Sequence, residues 1–192
     1  MKMSISNEQF ESEFEKFRDN LIEAGLENLA LDEGLKKVLK VASCALNEDT
    51  GCAYPGSLLV HINLITALAR RISKMISGTF TIEETSLLKV CLLMHLSKFD
   101  MYEPNDNQWE IEKRGLNYKF SELEGKLKFG ERSALMALNN GIKLTPIEFE
   151  AFKCLDNEKD GNSKYGDSIL TTIVRQANEL AYAIEKEKYN KL

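Results

Sequence analysis

The chain reads as a mainly helical, all-α domain with a small β-hairpin insertion, and three observations predict this. Apolar residues recur at helical spacing through most of the sequence, as in Phe10, Phe14, Phe17 and Leu21. Helix start signals precede those runs: Ser6 with Gln9, Thr81 with Glu84, and Thr145-Pro146 with Glu148. Only between Trp109 and Phe120 does the pattern turn to alternation. At 192 residues the chain fits one domain with an appended segment. The predicted division is an N-terminal helix within residues 1–30 and a helical domain over 31–192.

In order along the chain, Ser6 and Gln9 form a capping box that opens a helix ending at Gly25. Its three phenylalanines lie on one stripe of an otherwise acidic helix, so they must bury against the same chain or against a partner. A second helix starts near Asp32 and carries Leu35, Val38, Leu39 and Ala42. Asn47 to Gly56, with Gly51 and Pro55, reads as a loop. A helix then runs from about Ser57 to Ile76 and closes at Gly78. Thr85 to Leu96 is apolar nearly all round, which predicts the central buried helix. Trp109, Ile111, the Arg114-Gly115 turn, then Leu116, Tyr118 and Phe120 alternate as a hairpin would. Helices resume at Glu131–Asn140 and at Thr145, and after an Asp156–Asp167 loop the last helix runs from Ser168 towards Tyr189.

A net charge of −5 argues against non-specific nucleic-acid binding, which needs clustered cations. Lys36, Lys37 and Lys40 form the one small basic cluster, read more simply as a solvated helix face. Cys44, Cys52, Cys91 and Cys154 show neither a C-x-x-C pair nor zinc-finger spacing. Cys91 and Cys154 look like small core residues, and Cys44 and Cys52 are close enough to bridge across a loop. No 18-residue apolar run and no apolar leader region occurs, so the expectation is an intracellular, cytoplasmic protein with reduced thiols and no membrane contact.

The only histidines are His61 and His95, and on a helix a lone histidine is more often a hydrogen-bonded structural residue than a ligand. Both fall in patterned segments. Cys44 to His61 includes Gly51-Cys52-Ala53-Tyr54-Pro55-Gly56-Ser57-Leu58 ahead of the histidine. Leu92-Leu93-Met94-His95-Leu96-Ser97-Lys98 follows, then Lys128-Phe129-Gly130-Glu131-Arg132-Ser133, Ala151-Phe152-Lys153-Cys154-Leu155-Asp156, and Gln176-Ala177-Asn178-Glu179-Leu180-Ala181. In order and spacing these five segments resemble the motifs of a branch of the HD-domain metal-dependent phosphohydrolases, over roughly residues 40–185. The branch has Gly-Ala-Tyr-Pro-Gly-Gly-Leu before its first histidine, Leu-Leu-His-Asp-Leu-Cys-Lys at its doublet, then Gly-His-Gly-Glu-Lys-Ser, Trp-His-Met and Ala-Asp-x-Leu-Ala.

The resemblance implies a helical HD-like bundle, and the departures from it imply the function. His61 matches the first metal-binding histidine. Met94 stands at the doublet's histidine and His95 at its aspartate, while Phe129, Leu155 and Asn178 stand at the next two histidines and the last aspartate. Met, Phe, Leu and Asn are poor ligands for a hard divalent cation, and both family aspartates are lost. The expectation is therefore no catalytic residue, no metal and no cofactor, with Asp100 and Asp156 the acidic groups that could act as shifted ligands. A residual site of His61, His95, Lys98, Glu131 and Arg132 would hold a phosphate or nucleotide weakly through Lys98 and Arg132. The plainer alternative is that Glu131 and Ser133 cap a helix while the cations form surface pairs. The leading expectation is an inactive HD-like module that binds a protein partner or a second copy of itself. Such relatives are frequent in tailed bacteriophages, which implies a host-cell cytoplasmic or virion setting. The competing expectation is a nucleotide-binding protein or slow metal-dependent phosphohydrolase.

Overall fold

Local signals set most of the helix boundaries in the computed structural model, which describes residues 5–156 and 167–191. Helix α1 (Asn7–Glu23) starts at a complete capping box: Ser6 Oγ accepts the Gln9 N–H at 3.1 Å, and Gln9 Oε1 accepts the Ser6 N–H at 3.0 Å. A short α2 (Glu27–Ala30) follows, which the sequence pattern did not suggest. Helix α3 (Glu33–Val41) begins where Asp32 Oδ1 accepts the N–H groups of Gly34 and Leu35. The predicted loop contains one 3-10 turn (Glu48–Thr50) and leads into α4 (Ser57–Ile76), whose bounds match the predicted ones.

Helix α5 (Glu84–Leu93) is the predicted apolar helix, with Leu87, Leu88, Val90, Cys91, Leu92 and Leu93 all buried. Its N-cap is Glu83 rather than Thr81, and its last predicted turn is a run of tight turns carrying Met94 and His95 into α6 (Lys98–Met101).

The hairpin is present with its strands placed differently. β1 (Tyr102–Pro104) pairs antiparallel with β2 (Tyr118–Phe120) in the register Tyr102↔Phe120, Glu103↔Lys119 and Pro104↔Tyr118. The stretch holding Trp109 and Ile111 is instead a helix, α7 (Gln108–Arg114). Asn107 Oδ1 caps it by accepting the N–H groups of Trp109 and Glu110, and Gly115 ends it in the left-handed conformation at φ 63°. Over so few residues, alternation cannot be told from one face of a helix turn, and the caps decide. Helices α8 (Phe129–Asn139), α9 (Pro146–Phe152) and α10 (Ile169–Tyr189) complete the chain. Of the predicted Asp156–Asp167 loop, residues 157–166 lie outside the described residues.

Helix α4 packs against α10, α5 and α1, and these helices share one hydrophobic core. Phe10, Phe14 and Phe17 enter that core, so α1 is covered by its own chain. Lys36 and Lys40 roof the stripe: Lys36 Nζ sits 5.1 Å over Phe14 and pairs with Glu11, and Lys40 Nζ sits 6.0 Å over Phe10. These two lysines of the small basic cluster are thereby engaged with α1. Among the described residues no helix is long and apolar enough to cross a membrane.

Candidate functional site

Three elements converge on His61 and His95. Helix α4 supplies His61, the turn after α5 supplies His95, and α10 supplies Asn178, Tyr182 and Glu185. The spacing of the last three, four and then three residues, puts them on one face of α10. That face continues the buried stripe of Val174, Ala177 and Ala181, so Glu185 is an acidic side chain within an apolar period. This misfit is the signal by which the sequence could have marked Glu185 as the acid behind His61, and the motifs alone do not contain it.

Asn178 Oδ1 stands between the two imidazoles, 3.2 Å from His61 Nε2 and 3.1 Å from His95 Nε2. The rings meet edge to face at 5.0 Å. His61 Nδ1 lies 2.8 Å from Glu185 Oε2, and both side chains are buried. With a carbonyl oxygen on one side and a carboxylate on the other, both ring nitrogens of His61 donate, which makes it an imidazolium. Burial opposes that charge, but Cys44 and Glu185 beside it raise its pKa to about 9. His95 is the opposite case. Burial, with Lys98 and His61 nearby, pushes its pKa well below the ordinary 6.5, so it is neutral, donates from Nε2 and leaves Nδ1 buried without a partner.

Lys98, 4% exposed, spends its ammonium on Cys44: Nζ donates to Cys44 O at 2.6 Å and to Tyr182 Oη at 2.5 Å, and lies 3.4 Å from Cys44 Sγ. Those three contacts use all three donors of a lysine, so none is left for an incoming phosphate. Cys44 Sγ is also 3.5 Å from Tyr182 Oη, and interacts with His61 and with the Cys52 thiol. Burial acts to raise the Cys44 pKa, yet Cys52, His61 and Lys98 together hold it well below its ordinary value. Lys98, Cys44, His61 and Glu185 thus form one buried row of interacting polar groups.

A cavity of about 300 Å³ opens beside this row, lined among others by His95, Lys98, Tyr102, Phe129, Leu155 and Asn178. Phe129 is locked in an aromatic trio with the hairpin residues Tyr102 and Phe120, at centroid distances of 5.9 and 6.2 Å. Met94 is fully buried and outside the cavity lining. Of the other residues singled out, Arg132 does not line the cavity, and its guanidinium donates to the Glu124 carbonyl. Glu131 accepts the Lys128 N–H at the start of α8, in keeping with the capping alternative. Ser133 instead accepts the Ser97 N–H, tying α8 to the turn that carries His95. Asp156 Oδ1 accepts the Gly130 N–H at 2.7 Å, and neither Asp156 nor Asp100 lines the cavity. Among the described residues no group of three or more His, Cys, Asp or Glu side chains is arranged to hold a metal ion. Compared with family models, curated proteins and solved structures, the chain has no significant match in any of the three.

Proposed function

We propose that the chain is a non-catalytic HD-like module, a helical scaffold for protein–protein association in which an internal polar network occupies the position of a metal centre. One observation carries the reading. Of the six positions at which the resembled family keeps ligands, His95, Phe129, Leu155 and Asn178 line one cavity, and His61 bonds to Asn178 beside it. Residues from five separate motifs thus meet in space, as a shared ancestral site requires, while their chemistry no longer suits a hard cation. The two imidazoles are engaged by Asn178, one of them by Glu185 as well, and Phe129 is part of the aromatic trio. The commitment of all three Lys98 donors argues against the nucleotide-binding alternative.

Support for a partner comes from Leu135 and Leu138 on α8 and Ile147 and Phe149 on α9, all at least 40% exposed on two helices that touch. A virion or other multimeric assembly is the setting this reading expects. The decisive experiment is metal analysis of protein purified without chelator, coupled to hydrolysis assays with nucleotides and simple phosphoesters. The expected result is no stoichiometric Mn, Fe, Zn or Mg and no turnover. Near-stoichiometric metal, with phosphatase activity lost in His61→Ala, would overturn the proposal in favour of a slow phosphohydrolase. Met94→His with His95→Asp is expected to leave the protein inactive, because Phe129, Leu155 and Asn178 remain and Met94 is outside the cavity lining.

A further inference from the structure

Cys44 and Cys52 are unpaired thiols that the fold sets side by side. Ser57, the first residue of α4, holds both backbones with one hydroxyl: Oγ accepts the Cys44 N–H at 3.0 Å and donates to the Cys52 carbonyl at 2.6 Å. A single oxygen bridging the two main chains holds the two residues near one another, as a disulfide between them would require. The two thiols are near enough to shift one another's ionisation, and Thr50 Oγ1 lies 3.5 Å from Cys52 Sγ. Gly51 lets this loop press on α10. It has φ 76°, and a Cβ there would collide with the Glu185 carbonyl oxygen.

The electrostatics favour a nucleophile at Cys44. The Lys98 ammonium is buried and 3.4 Å from Cys44 Sγ, while its other partners are a carbonyl and a phenol. A buried cation needs an anion, and among these contacts the Cys44 sulfur is the group able to supply it. Residues that touch or flank the pair line two cavities. Lys98 and Tyr182, both touching Cys44 Sγ, line the cavity of about 300 Å³. Gly51 and Ala53, which flank Cys52, line a second cavity of about 370 Å³.

We propose that Cys44 and Cys52 form a peroxide-sensitive dithiol, with Cys44 the attacking sulfur and Cys52 the resolving one. This assignment does not depend on the function proposed above. The Cys44 thiolate attacks one oxygen of hydrogen peroxide; the S–O bond forms, the O–O bond breaks, and the departing hydroxide takes up a proton to leave as water. The sulfur is oxidised to sulfenic acid as the peroxide is reduced. Cys52 then attacks that sulfur, its thiol proton joining the displaced hydroxyl as a second water, and the S–S bond closes. The pairing that lowers the Cys44 pKa raises that of Cys52, so Cys44 is the sulfur that attacks first; Cys91 and Cys154, both raised by burial, serve as controls.

The test exposes the reduced full chain to hydrogen peroxide, natively and in urea, then alkylates free thiols and maps the peptides by mass spectrometry. Expected is a reductant-reversible Cys44–Cys52 cross-link that forms about tenfold faster in the native protein than in the unfolded chain. Cys91 and Cys154 remain fully alkylated, and Cys52→Ser stops at a Cys44 sulfenic acid that dimedone traps. A cross-link no faster in the native state would mean that nearness in sequence alone brings the thiols together, and would overturn the proposal. So would oxidation of Cys154, which itself lines the first cavity, ahead of Cys44.

Discussion

Glu185 and Asn178 decide what the two histidines are, although neither histidine's segment contains them. The carboxylate of Glu185 keeps His61 charged, and the Asn178 carbonyl oxygen orients both rings through their Nε2 hydrogens. Glu185→Gln should therefore lower the His61 pKa from about 9, which histidine ring NMR across pH would read directly. Removing one partner of a buried pair should also cost about 3–5 kcal/mol in urea unfolding. Asn178→Asp works in the opposite direction. A carboxylate 3.1 Å from His95 Nε2 should raise the depressed pKa of that histidine, and an unchanged titration would mean that the ring does not face Asn178.

At the scale of elements, the helices are held by caps and by close approaches that glycine permits. Helix α8 meets the 3-10 turn at Lys153–Asp156 so closely that a Cβ on Gly130 would strike the Phe152 carbonyl. Alanine has the higher helix propensity by about 1 kcal/mol, yet Gly130→Ala should lower the melting temperature, because backbone rather than a movable side chain is in the way. In α1, Phe17→Ala should cost about 3–5 kcal/mol, since the ring is 1% exposed within the shared core. Removal of residues 1–25 should likewise lower the melting temperature of what remains. An unchanged thermal transition would separate α1 from the core.

The molecule as a whole should show an unusual pH profile, because its buried charges trade a proton internally. His61, with its pKa raised from 6.5 to about 9, adds stability that is present below pH 6.5 and lost as pH rises through about 9. Cys44, with its pKa lowered from 9.0, adds stability that is present above pH 9 and lost as pH falls through its native value. Over the range in which both shifts act the two changes oppose one another, so the unfolding free energy should vary less with pH than either group alone would make it. Below pH 6.5 the depressed His95 withdraws stability, because its unfolded form takes up a proton that the native ring does not. Urea unfolding at a series of pH values checks this. Association is the other whole-molecule property. Light scattering should find a species larger than the monomer, and Leu138→Lys with Phe149→Lys should reduce it to one chain.

The sequence by itself determined the helical class, the capped starts of α1, α3 and α9, the bounds of α4 and the burial of α5, because these depend on residues within a few positions of one another. It misread Trp109 and Ile111 as strand, since two apolar residues two positions apart fit either period and the Asn107 and Gly115 caps decided the matter. The tertiary structure alone decided how the polar groups are paired. Glu185 is 124 positions from the histidine it charges, Tyr182 is 138 from the sulfur it touches, and Lys98 is 54 from the carbonyl it binds. Such pairings leave no periodic trace along the chain. A buried polar group takes the partner that the packing of other helices brings within reach, so α10 crossing α4 made Cys44, His61 and Glu185 one charged network.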